Sequence, residues 1–333
     1  MRKILILRKP AVDFNSIEKV FTALIPYLAI TICLLPKYSK GLFGRLYNIL
    51  FVFTLRKSLL HLSGHDNYIF SIPFFKKTVL TIHDLEGLHK YEGVKRWIYY
   101  FFWIKLPVKN ASVITTVSTF SKNEIIENTK TKKNIYLIHN PLTLPISYTP
   151  KKFNATKPRI LHIGTKANKN LERLIHALSK LNCELVIIGQ KSDQLLNQLN
   201  QAKIDFTFKS NLSNEEMVEE YKACDILVFV STYEGFGLPI IEAQAAGRAV
   251  ITANVASMPE VAGEGALLVD PYSVDDIREG IVKLIEDEDF RESLIQRGLE
   301  NVKRFDAEEI AKQYREVYDA IDNFIMSRKN FFL

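Results

Sequence analysis

The second half of the chain alternates two hydrophobic patterns. RILHIG (159–164), ELVIIG (184–189), DILVFVS (225–231) and AVITAN (249–254) are short, nearly unbroken apolar runs. After the first run, Leu171, Leu174, Ile175, Leu178 and Leu181 recur at the three-and-four spacing of a helix face. Between the last two, PIIEAQAA predicts a helix with Pro239 in its first turn and Gly247 as its stop. A strand without polar alternation is covered on both faces. Strands of this kind separated by helices predict a parallel sheet between two helical layers.

The first half repeats the scheme more loosely. Strand-like runs are KILILR (3–8), AITICLL (29–35), TVLTIHD (78–84), SVITTVS (112–118) and NIYLIH (134–139), with helices expected at 94–106 and 119–128. Residues 140–158 hold four prolines and no periodic pattern, which reads as a linker between two doubly wound α/β domains. From about Asp289 to Phe324 the chain reads as helical and amphipathic. A length of 333 residues suits two such domains of roughly 150 residues each.

The 47% hydrophobic and 24% charged content is that of a globular protein. Three scattered cysteines, Cys33, Cys183 and Cys224, form neither a disulfide framework nor a metal-ligand pair, and a cytoplasmic location is expected. The longest uncharged run, 20–36, is interrupted by Pro26 and reads as a helix end followed by a strand rather than a span. The apolar part of MRKILILRKP is too short for a signal peptide. Charge is unevenly spread. Residues 1–150 carry 21 Lys or Arg against 8 Asp or Glu, a net of +13, and the remainder carries 23 against 29, a net of −6. The first half either faces an anionic partner, such as a membrane surface, or has an incidentally basic surface.

Open parallel sheets bind ligands beyond the carboxyl ends of their strands, so the loops 164–170, 189–193 and 231–239 are expected to open on one crevice. In the first loop, Lys166 and Lys169 precede a helix. They read either as an anion site with its free N–H groups or as two solvated lysines. In the third, Glu234 and Glu242 stand eight apart around Gly235, Gly237 and Pro239. Carboxylates accept hydrogen bonds and so suit ligand hydroxyls, while the glycines admit a ligand close to the backbone. The alternative for Glu242 is a cap at a helix start. A phosphate-binding loop beside hydroxyl-binding carboxylates points to a nucleotide sugar.

The stretch EGFGLPIIE resembles the E-x7-E motif of retaining GT-B glycosyltransferases, glycosyltransferase family 4 (group 1). LHIGTKANKNLERLIHAL, SMPEVAGEGALLVDPYSVDDI, TIHDL and TTVSTFSKNEI are similar to further segments of that family, over roughly residues 78–320. The resemblance implies a GT-B fold of two Rossmann-like domains: residues 1–150 for the acceptor, 151–305 for the nucleotide sugar, and a C-terminal helix, 306–333, packing back towards the first. It implies that Glu242 binds the ribose hydroxyls and Glu234 the donor sugar. Phe236, Gly237 and Leu238 would lie against sugar and phosphate, with Gly164, Thr165 and Gly189 lining the donor site. Lys169 matches the family's phosphate-binding lysine. Thr165 stands where the family often has arginine, and Lys166 is the candidate replacement charge. His83 matches a histidine placed near the transferred sugar, with Asp84 supporting it or its loop.

The only Asp-x-Asp, at Asp287 and Asp289, lies in a charged stretch between helices, so no metal or other cofactor is expected and lysines would balance the phosphate charge. The implied reaction is retaining transfer of a mannose- or glucose-type hexose to a glycan or polyprenyl-diphosphate-linked glycan, in lipopolysaccharide O-antigen or capsule assembly. Two segments could touch an anionic membrane, VKRWIYYFFWIKLPVK (94–109) and GRLYNILFVFTLRKS (44–58). In the first, Trp97, Tyr100, Phe101 and Ile104 fall at helical spacing; a core helix with charged ends is the other reading. A nucleotide-sugar epimerase and a non-catalytic binding module are the alternative functions. No nucleic-acid-binding signature is present.

Overall fold

The computed structural model describes residues 2–9 and 16–329. The chain divides into two compact units, residues 1–141 with 306–333, and residues 142–305. The last four positions of the expected C-terminal helix, 330–333, lie outside the described residues.

The first unit is built on β1 (Lys3–Leu7), β2 (Thr31–Leu34), β3 (Leu59–Leu62), β4 (Thr78–Ile82), β5 (Val113–Thr116) and β6 (Ile135–Leu137). They lie in the order β2-β1-β3-β4-β5-β6, and every pairing is parallel. The connections contain α1 (Ser16–Leu24), α2 (Gly41–Thr54), α3 (Glu86–Lys90), α4 (Gly93–Tyr99), α5 (Leu106–Asn110) and α6 (Thr119–Thr129). Ile4, Ile6, Leu60, Leu62, Leu80, Ile82 and Ile114 put the core along the sheet's central strands. β3 escapes the sequence pattern because His61 interrupts LLHL and no turn residue separates it clearly from the preceding helix. The helix expected at 94–106 runs instead through α4, a π-helical turn at Tyr100–Lys105 and α5. A π turn carries more residues than an α turn and shifts the phase of the faces. Ile104 is buried, whereas Trp97 stays exposed and stacks on Phe101 at 5.3 Å.

The second unit holds β7 (Arg159–Ile163), β8 (Glu184–Ile188), β9 (Asp205–Lys209), β10 (Ile226–Phe229), β11 (Ala249–Ala253) and β12 (Leu267–Val269), ordered β12-β11-β10-β7-β8-β9 and again all parallel. Its helices are α7 (Leu171–Leu178), α8 (Asp193–Gln201), α9 (Asn214–Ala223), α10 (Leu238–Ala246), α11 (Met258–Ala262), α12 (Val274–Glu286) and α13 (Glu288–Asn301). The chain winds outward from β7 to β9, then returns to the other side of β7 at β10. Such a reversal leaves a crevice beyond the carboxyl ends of the two adjacent strands, because their helices depart to opposite faces. β9 and β12 carry no long apolar run, being edge strands, and neither is legible from periodicity. The proline-rich stretch that reads as a linker packs on this unit: Arg248 donates to the Thr149 carbonyl at 2.7 Å, Lys151 pairs with Asp225, and the Asn154 N–H donates to the same carboxylate at 3.2 Å.

Within the stretch that reads as helical, α13 gives way to a 3-10 turn at Val302–Phe305, and α14 (Ala307–Lys329) follows, starting one residue after the expected start of the C-terminal helix and belonging to the first unit. There it closes a buried polar seam. The Tyr318 hydroxyl lies 2.7 Å from His61 Nδ1, His61 Nε2 lies 2.7 Å from Thr81 Oγ1, and Thr81 Oγ1 lies 2.7 Å from Thr115 Oγ1. Burial, with His83 nearby, pushes His61 down to about 3, so the ring is neutral. Burial also lowers His83 to about 4. Both folded values lie below the free value, so the unfolded chain binds more protons as pH falls below about 6.5. His162 in the second unit is lowered by burial to about 4 in the same way, so unfolding free energy is expected to hold from pH 8 to 7 and to fall on acidification, at up to about 1.4 kcal/mol per pH unit for each of the three histidines between about pH 6 and 4. Urea titrations across that range read the slope, and a flat profile from pH 7 to 5 would contradict neutral burial.

Candidate functional site

The two loops flanking the chain reversal are those after β7 and β10. β7 ends at Ile163 and is followed by Gly164, whose φ of +98° turns the chain away from the sheet. A Cβ at that position would stand 2.7 Å from Lys169 Cγ, so the lysine stem lies in the space that a side chain would take. Gly189, following β8, gives room in the same way to Thr165, whose Oγ1 accepts the Gln190 N–H at 3.1 Å.

Side chains stitch the first loop to the second. Asn168 Nδ2 donates to the Tyr233 carbonyl at 3.0 Å, and the Thr232 N–H donates to the Asn168 carbonyl at 2.8 Å. Asn170, in the left-handed conformation, donates to the carbonyls of Val230 at 3.0 Å and Pro271 at 2.6 Å. These bonds replace the ladder that an irregular backbone lacks. Across them Lys169 Nζ reaches Glu234 Oε1 at 2.6 Å, above the Phe229 ring. Both side chains are partly exposed, 20% and 16%, and so are open to a ligand. Lys166, from the same loop, lines a cleft of about 500 Å³ with Arg173, His176 and Gln194.

Beyond Glu234 the backbone is held by Ser257, whose hydroxyl lies 2.9 Å from the Glu234 carbonyl and 2.7 Å from that of Phe236. Phe236 is buried edge-on against Phe305. Gly237, at φ +117°, turns the chain into α10, whose first residue is Leu238. The helix starts at Leu238, one residue before the Pro239 at which the sequence predicts it, so Glu242 is its fifth residue, in the second turn and too far along to cap the helix. Glu242 is buried; its Oε2 accepts from the Tyr221 hydroxyl at 2.6 Å and its Oε1 from Thr143 Oγ1 at 3.0 Å. Burial, then the Glu242 carboxylate, raises Tyr221 well above the ordinary phenol range, which keeps it protonated as the donor. Tyr221, Thr143, Asn168 and Ser257 gave no signal in the sequence: each is an ordinary residue of a helix or loop until the chain is folded.

The structure thus gathers Gly164, Thr165, Lys169, Gly189 and Glu234 at one sheet edge, and sets Phe236, Gly237, Leu238 and Glu242 along the turn and helix that follow. His83 belongs to the first unit, at the end of β4. Its Nε2 lies 2.9 Å from the Ser63 carbonyl, and its ring occupies the space left by Gly64, which has φ +120°. Asp84 Oδ1 accepts the Glu86 N–H at 2.9 Å and so caps the turn after His83.

Residues 149–301 match the family described as Glycosyl transferases group 1. The chain is 29% identical over 294 residues to O-antigen chain mannosyltransferase B of Escherichia coli, covering 79% of this chain and 77% of that one. It is 28% identical over 274 residues to the serotype-specific mannosyltransferase WbdA of Escherichia coli, covering 73% of this chain but 34% of that longer protein. The structure of HepE from Anabaena superposes with a TM-score of 0.81 over 96% of this chain and 100% of that one, at 17% identity, a likeness of fold. Two parallel, doubly wound six-stranded sheets and the superposition on HepE define a GT-B fold. The match covers residues 149–301, a little under half of the chain, and marks that segment as a group 1 glycosyltransferase domain.

The glycine after β7 gives a direct test. Gly164→Ala places a methyl group against Lys169 at a φ unfavourable to alanine, and is expected to cost about 1–3 kcal/mol of unfolding free energy. Denaturant titration measures it; an unchanged midpoint would mean that Lys169 does not need that space.

Proposed function

We propose that this glycosyltransferase moves a mannose- or glucose-type hexose from a nucleoside diphosphate sugar to a glycan or lipid-linked glycan, with retention of anomeric configuration and without a metal ion. The carrying observation is the Lys169–Glu234 pair at 2.6 Å on a glycine-framed loop, one helical segment from the buried carboxylate of Glu242. A lysine already paired to a carboxylate can transfer its charge to an arriving diphosphate, and the released Glu234 then accepts from sugar hydroxyls. Lys166 adds a second cation in the same loop, so the leaving diphosphate is balanced by ammonium groups. Glu242, held by Tyr221 and Thr143, is the acceptor for ribose hydroxyls.

In this reading the acceptor hydroxyl oxygen forms a bond to the anomeric carbon on the face that the diphosphate leaves. The bond from that carbon to the phosphate oxygen breaks, and the hydroxyl proton passes to the departing phosphate. The family resemblance assigns His83, which burial keeps neutral at physiological pH, as a hydrogen-bonding group for the transferred sugar. The relatives named as O-antigen chain and serotype-specific mannosyltransferases support a role in polysaccharide assembly, and HepE is described in complex with UDP and glucose.

Thermal unfolding with UDP, GDP, ADP, TDP and CMP, each with EDTA, tests the donor class. One diphosphate at a hundredfold excess over its dissociation constant is expected to add about 2.7 kcal/mol. Glu242→Ala should reduce that stabilisation through weaker nucleotide-sugar binding. Loss of the shift on adding EDTA would overturn metal-free binding, and unchanged affinity in the alanine variant would overturn the ribose role.

A further inference from the structure

The first unit carries a surface that glycosyl transfer does not account for. On α2, Phe43 is 88% exposed, Leu42 69%, Leu50 67%, Tyr47 50% and Leu46 46%. At 100° per residue these five side chains fall within one broad stripe. The exposure does not come from a loosely attached helix. On the opposite face Val52 is fully buried, and buried Asn48 accepts the Lys37 N–H at 3.1 Å and donates to the Lys37 carbonyl at 3.0 Å, clamping the chain entering α2. A fixed helix thus presents large apolar side chains to solvent, where isolated surface positions would be the norm.

Charge says what covers it. Lys37 and Lys40 stand exposed before the helix, and Arg56 and Lys57 stand exposed after it. From residue 19 to residue 65 the sequence has six Lys or Arg and no Asp or Glu. Two of these cations lie on aromatic rings: Lys37 Nζ is 5.5 Å from the Tyr47 ring and the Arg56 guanidinium 4.2 Å from that of Phe53. Phe53 in turn meets the exposed Phe74 edge-on. A second copy of this chain pairing through the same face would bring these cations together with no local carboxylate to offset them. An anionic lipid headgroup layer supplies both the negative charge and an apolar interior. The helix has 14 residues, about 21 Å, short of a bilayer's hydrocarbon core, and no described helix is long and apolar enough to cross a membrane.

We propose that the α2 face, Leu42, Phe43, Leu46, Tyr47 and Leu50 with its rim of Lys37, Lys40, Arg56 and Lys57, docks in the plane of an anionic membrane interface. The apolar stripe enters the headgroup boundary and the cations pair with lipid phosphates above it. Of the two segments with membrane character in the sequence, this one has the more exposed apolar face. The docking does not depend on which sugar the enzyme transfers.

Flotation of the full chain with vesicles of phosphatidylcholine alone, and of phosphatidylcholine mixed with phosphatidylglycerol, tests this. Wild type is expected to float with the anionic vesicles only and to be released by high salt. A Phe43→Ser/Leu46→Ser/Leu50→Ser variant should lose about tenfold or more in vesicle partitioning. Lys37→Glu/Lys40→Glu should lose the preference for phosphatidylglycerol. Thermal unfolding of both variants should match wild type, because the substituted side chains face solvent. Failure of wild type to float, or equal flotation of the serine variant, would overturn the proposal. So would a wild-type dimer in sedimentation equilibrium that the serine variant converts to monomer, since a second copy would then be the occupant.

Discussion

The contact on which the second unit's site depends is the ion pair between Lys169 and Glu234. Both charges are largely withdrawn from water, and a charge so placed needs a partner or a ligand. Each sits on an irregular loop that could not hold it by itself. Asn168 and Asn170 tie the first loop to the second, Ser257 holds the carbonyls beneath Glu234, and the missing Cβ of Gly164 leaves the path for the lysine stem. The pair is poised rather than locked: each charge satisfies the other, yet both side chains keep part of their surface exposed.

Both units meet a second constraint in the same manner. A polar group buried in a strand or a helix of such a unit must find its hydrogen bonds among side chains, because the backbone groups of regular elements are already paired. In the second unit the buried Glu242 is met by the hydroxyls of Tyr221 and Thr143. In the first, His61 is met by Tyr318 and Thr81, and this seam is where the C-terminal helix joins the sheet. Hydroxyls serve well in such places because they rotate to donate or accept as the partner requires.

Much of this was legible beforehand. The buried strands β7, β8, β10 and β11 read directly as apolar runs, since covering both faces leaves no polar alternation to confuse them. The glycines at 164, 189 and 237 and the two glutamates stood out because each is chemically odd in its surroundings. The strands that escaped were β3, broken by His61, and the edge strands β9 and β12, where one side of the strand needs no apolar cover. The π turn at Tyr100–Lys105 was equally hidden, as nothing in its aromatic run distinguishes it from an α-helix.

Periodicity and composition, then, settle the strand–helix alternation, the parallel sheets and the loops at the carboxyl ends of the strands, because those properties follow from each residue's near neighbours and its need for burial. They do not settle partners. Lys169 meets Glu234 across 65 residues, Tyr221 meets Glu242 across 21, and Tyr318 meets His61 across 257. They meet because the winding order of the sheets carries the chain back to the same edge, and a pairing made by the path of the backbone leaves no trace in local sequence. The apolar face of α2 shows the same division: its residues were plain to read, but only the folded unit decided that they point outward.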